Sequence, residues 1–117
     1  MALRPWRERG NQVDHTEVLR LLAISGAGTT EVGPLGPPDA LDPRTLALAR
    51  LAALIAVGGA EPSYGAETDA AVSSGATPAE IVAILVGVLP VVGMARVVAA
   101  APLLGLALGY DVEDALS

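Results

Sequence analysis

The chain has 117 residues, 52% of them hydrophobic, with a net charge of −6 and no cysteine. That length and apolar content suffice for one compact domain without disulfides or metal, and the missing thiol excludes cysteine nucleophiles, disulfides and thiolate ligands. The acidic balance and an aromatic content of 3% exclude nucleic acid as a partner, because phosphate backbones are repelled and stacking side chains are scarce. All seven cationic side chains are Arg, Phe is absent, and Ala, Val and Leu dominate, a composition that points to a GC-rich bacterial source.

In chain order, residues 1–12 hold Arg4, Arg7 and Arg9 but no apolar core or small-residue cleavage site behind them. They read as a flexible N-terminus of a cytoplasmic protein. A first helix is predicted over 14–24, where Asp14 can cap, Glu17 follows three residues on, and Val18, Leu21 and Leu22 recur at helical spacing. Residues 25–40 form a long Gly/Pro/Thr loop. Within it Gly26-Ala27-Gly28-Thr29-Thr30 lacks the Gly-Lys-Ser/Thr signature and a preceding strand, so a connector outweighs a phosphate loop.

Asp42-Pro43 predicts a helix start, since the carboxylate accepts orphan N–H groups and proline fixes φ for the first helical position. This helix runs to about Val57 and stops at Gly58-Gly59. Pro62 opens the next, which closes near Ser74-Gly75. Thr77-Pro78 repeats the cap-and-proline start, with Ile81, Ile84, Leu85 and Val88 on the buried face. This helix is apolar on all sides, the mark of one surrounded by protein, which predicts subunit contacts. Pro90 is expected to kink or shorten it. A last helix is predicted over 94–108, bent by Pro102 and ended by Gly109, and residues 111–117 form an acidic tail.

Five helices and no hairpin turns make the fold class all-α, a single domain over 13–110. The mean hydropathy of +0.53 raises a membrane reading. The best span, 81–95, offers about 15 residues against the ~20 a bilayer needs, contains Pro90 and runs into Arg96. Burial in a helical oligomer explains the same hydrophobicity, so no membrane partner is expected.

Three segments carry a family resemblance in order and spacing: Leu41-Asp42-Pro43-Arg44-Thr45, Gly75-Ala76-Thr77-Pro78-Ala79-Glu80-Ile81 and Gly93-Met94-Ala95-Arg96. Across residues 41–106 the chain resembles the carboxymuconolactone decarboxylase and alkylhydroperoxidase D-like family. The resemblance implies an all-helical subunit that assembles as a homo-trimer or homo-hexamer, with sites near subunit interfaces. Redox-active members carry Cys-x-x-Cys-x-x-x-His on the helix after the glycine stop. Here those positions hold Ala60, Ser63 and Glu67, which removes the thiol mechanism. The cysteine-free decarboxylase branch keeps the histidine, replaced here by Glu67. The lone His15 matches no family position.

Glu67 is therefore the candidate catalytic residue, a carboxylate that could shuttle a proton to a small organic acid or lactone. Ser63, one turn earlier, and Tyr64 are candidate substrate-binding residues. Against this stands the reading in which Glu61, Glu67 and Asp69 only keep a helix face soluble. Arg96 interrupts the most apolar stretch and has two readings. It pairs with Glu67, within or between subunits, or it holds a substrate carboxylate as a third binding residue. Arg50 reads as an exposed or interface charge. One histidine and scattered carboxylates offer no metal site, Ser63 and Ser25 lack a nucleophile elbow, and no cofactor is implied. Two functions follow from these residues: a catalytically silent binding or structural oligomer, and a divergent decarboxylase-like lyase using Glu67.

Overall fold

A computed structural model describes residues 14–25 and 38–110. It places five helices and no strand among them: α1 His15–Ser25, α2 Pro43–Val57, α3 Glu61–Ser73, α4 Pro78–Val92 and α5 Met94–Ala107. The all-α expectation holds, and the helix bounds fall within a residue or two of those read from the caps. Most of the 25–40 loop, the N-terminus and the acidic tail lie outside the described residues. The chain divides at the Ala40–Leu41 junction, with α1 on one side and α2 to α5 on the other.

In α1 the Asp14 carboxylate accepts from the Thr16 amide at 3.0 Å, as a cap should. Glu17 turns to Arg20 instead of back to the cap, at 3.0 Å from Nε. Val18 and Leu21 are half-buried, and Leu22 is exposed.

The starts of α2 and α4 follow from their caps. Asp42 accepts from the Thr45 amide at 2.8 Å and from its hydroxyl at 2.9 Å, with Pro43 at the first position. Thr77 and Glu80 form a reciprocal capping box, in which each side chain accepts from the other's amide, at 3.1 Å and 2.9 Å. The end of α3 is a Schellman motif: the Ala76 amide reaches the Ala71 carbonyl at 2.9 Å and the Gly75 amide reaches Val72 at 3.0 Å. Gly75 has φ +99°, a left-handed conformation that glycine adopts without a Cβ penalty. Pro90 sits in the last turn of α4, which runs on to Val92. The amide it lacks would have reached back to the carbonyl of Val86, an exposed residue where water can take its place.

Helices α2 to α5 form a ring in which α2 and α5 each neighbour both α3 and α4, while α3 and α4 barely meet across the diagonal. Each sends an i, i+4 stripe inward. Ala47, Leu51 and Ile55 come from α2, Tyr64, Thr68 and Ala71 from α3, Ile81 and Leu85 from α4, and Ala100 and Leu104 from α5. Ile84 and Val88 are partly buried against this core, as their spacing predicts.

The outer face of α4 has no charge to offer water. Ala79, Val82, Ala83, Val86, Gly87, Pro90 and Val91 are all exposed, Val86 at 69% and Val91 at 86%. Met94 and Val98 on α5 are exposed as well, at 61% and 60%. A soluble monomer ordinarily places polar residues on such a face.

Candidate functional site

The candidate residues gather where α2 hands over to α3 and where α5 begins. Ala60, the N-cap of α3, contributes no side-chain hydrogen bond. From there the helix presents two stripes. Ser63 and Glu67, one turn apart, lie outward, exposed and half-buried respectively; Tyr64 and Thr68 lie inward and are almost fully buried. Ser63 and Glu67 therefore share a face, as the i, i+4 spacing predicts. Among the described residues Glu67 forms neither an ion pair nor a hydrogen bond.

Of the readings open to Arg96, an intrachain pair with Glu67 is not formed. It is exposed, and among the described residues it pairs with no carboxylate. Its Nη1 donates to the Val57 carbonyl at 3.3 Å. A position flanked by apolar residues looks buried in one dimension, but Arg96 lies in the first turn of α5, beside the open end of α2. There a cation satisfies one of the carbonyls that α2 leaves without a partner. The guanidinium passes directly over Gly58, where an added Cβ would stand 2.6 Å from Nη1.

Tyr64 belongs to the same corner. Burial pushes its phenol above the usual tyrosine range, while the Gly59 amide and the Arg96 charge pull the other way. Thr68 carries a buried hydroxyl with no hydrogen-bond partner. An open groove of about 320 Å³ runs between the start of α3 and the end of α5, lined by Glu61, Pro62, Gly65, Leu106 and Ala107. It does not include Ser63, Glu67 or Arg96. No group of three metal-ligating side chains occurs among the described residues, and no described helix is long and apolar enough to cross a membrane. His15 is exposed on α1 beside Asp14, and Arg50 is exposed on α2.

Two features were not read from the sequence. Arg44, at the start of α2, forms an ion pair with Glu80 of the α4 capping box, joining two of the segments that carry the family resemblance. The Thr77-x-x-Glu80 spacing foretells the box, but nothing local foretells its partner. The other is Thr68, whose burial follows from being one turn after Tyr64.

The family model for the carboxymuconolactone decarboxylase family matches residues 16–105, and the chain belongs to that family. The match reaches further toward the N-terminus than the resemblance over 41–106, taking in α1. No curated protein and no solved structure matches the chain.

Proposed function

We propose that this chain is a ligand-binding or scaffolding member of the carboxymuconolactone decarboxylase family that acts as a homo-oligomer of three or six copies without thiol redox turnover. The uncharged outer face of α4 carries the reading. Exposing Val82, Val86 and Val91 together with Met94 and Val98 of α5 is unfavourable for a monomer, and burying each large apolar side chain is worth roughly 1.5–3 kcal/mol. A second copy brings the same surface without bringing charge. The Cys-x-x-Cys-x-x-x-His positions inferred from the resemblance hold Ala60, Ser63 and Glu67, which supports a role without thiol redox chemistry.

Light scattering on the eluting protein tests this. The expected mass is three or six times 11.7 kDa, with Val86→Asp releasing smaller species that keep their helical circular dichroism. A wild-type monomer at micromolar concentration would remove the assembly.

A second reading has one observation in its favour. Because Arg96 does not neutralise Glu67 within the chain, that carboxylate is left able to act as an acid/base group on an organic acid or lactone. Turnover by wild type, lost in Glu67→Gln with binding retained, is the result this lyase reading requires.

A further inference from the structure

Among the described residues, Arg20 and Arg44 pair with Glu17 and Glu80. Arg50 and Arg96 have no such partner, and of these two only Arg96 is held by a hydrogen bond, in a chain of net charge −6 and with Glu61 and Glu67 on the helix that packs beside its own. Of the five donors on a guanidinium, one is engaged, by the Val57 carbonyl. That bond and the Gly58 notch locate the group. Nη1 lies 2.6 Å and Cζ 3.7 Å from where a Cβ on residue 58 would be, so the planar head occupies the space the missing side chain leaves. Orienting a long, flexible cation before a ligand arrives lowers the entropy that binding must overcome.

We infer that Arg96, seated over Gly58 and anchored on Val57, is a recognition site for a small monocarboxylate. The inference rests on the binding part of the proposed function and not on the assembly. A carboxylate fits because its two oxygens match two parallel N–H groups of a guanidinium. A single negative charge fits because one cation neutralises it, whereas a dianion would keep an excess charge in a chain that already carries −6.

The test is calorimetric titration of the full chain with benzoate, with benzamide as the neutral isostere and inorganic phosphate as the dianion, at an alkaline pH where phosphate is fully in its dianionic form. Benzoate is expected to saturate, benzamide and phosphate to give no comparable heat, and Arg96→Gln to weaken benzoate by about ten-fold or more, the loss of one charge-assisted pair. Since Arg96→Gln also frees the Val57 carbonyl, wild type provides an independent readout. The Arg96 side-chain ¹⁵Nε–¹H resonance is expected to move on adding benzoate and to stay in place on adding benzamide. A folded Arg96→Gln protein that binds benzoate as wild type does, or a resonance that does not respond, overturns the site while leaving a binding function open elsewhere. Phosphate binding as tight as benzoate overturns the monoanion assignment. Absence of any benzoate binding by a protein of trimeric or hexameric mass overturns the site and leaves the assembly standing.

Discussion

The guanidinium of Arg44, at the start of α2, meets the carboxylate of Glu80, which also closes the capping box at the start of α4. One carboxylate thus satisfies the Thr77 amide and ties two helix N-termini together. Both side chains are partly exposed, so the ion pair itself is worth at most about 1 kcal/mol, whereas loss of the cap costs about 1 kcal/mol in its own right. Glu80→Ala is therefore expected to destabilise more than Arg44→Ala in chemical denaturation, with Glu80→Gln in between because glutamine can still close the box. Equal losses from Arg44→Ala and Glu80→Ala would mean that the box contributes nothing.

Gly58 is constrained twice, by a φ of +81° and by the Arg96 head group over its Cα. Gly58→Ala is expected to cost about 1–2 kcal/mol from the backbone alone. The clash adds to this but falls on the movable end of a long side chain. In an Arg96→Ala background the clash disappears and the backbone cost stays, so a double-mutant cycle should show positive coupling between the two sites. Strict additivity would place the guanidinium elsewhere in solution.

What the sequence disclosed about the bundle was what is decided within a few residues. Asp42-Pro43, Thr77-x-x-Glu80 and Gly75 set their helix ends through hydrogen bonds spanning three to five positions, so the caps were legible. The stripe Ile81, Ile84, Leu85 and Val88 was legible for the same reason. The corner holding the candidate site was not. Arg96 reaches Val57 across 39 positions, and Arg44 reaches Glu80 from another helix. Such partners depend on how helices are rotated against each other, which spacing along one helix does not specify. Ser63 and Glu67 sharing a face was local and could be read; the lack of an intrachain Arg96–Glu67 pair could not.

Thr68 offers a test of the core. Its hydroxyl is buried without a partner, and a buried polar group left unpaired costs about 1–3 kcal/mol. Valine has nearly the same shape without that group. Thr68→Val is expected to raise the denaturation midpoint, corresponding to about 1 kcal/mol, with helix propensity almost unchanged. A destabilised variant would mean that the hydroxyl has a partner in the assembled protein.

Asp42 sets an acid limit on the bundle. Its two contacts with Thr45, the backbone amide foremost, hold the carboxyl below the usual carboxylate range. A depressed folded-state value means that its stabilisation is present above the unfolded value, about pH 4, and is lost as pH falls through the folded one. Asn caps a helix nearly as well as Asp and does not titrate. The wild-type minus Asp42→Asn difference in melting temperature is therefore expected to shrink on acidification below about pH 4. A difference that holds constant through that range would remove the charge from the cap's contribution.

Tyr64 sets the limit at the other end. Burial raises its phenol above the ordinary tyrosine value of about pH 10, opposed only in part by the Gly59 amide and the Arg96 charge. A raised folded-state value means that the neutral phenol's contribution is complete below about pH 10 and is lost as pH climbs toward the folded value, where the chain gains by unfolding and ionising. Phenolate absorbance followed against pH is expected to show a late tyrosine that disappears in Tyr64→Phe. That variant should also keep its melting temperature to higher pH than wild type does. If the tyrosine lost in Tyr64→Phe ionises at or below about pH 10, the phenol is open to water and the corner formed by Gly59, Tyr64 and Arg96 is looser than the packing around Leu51 and Ile55 requires.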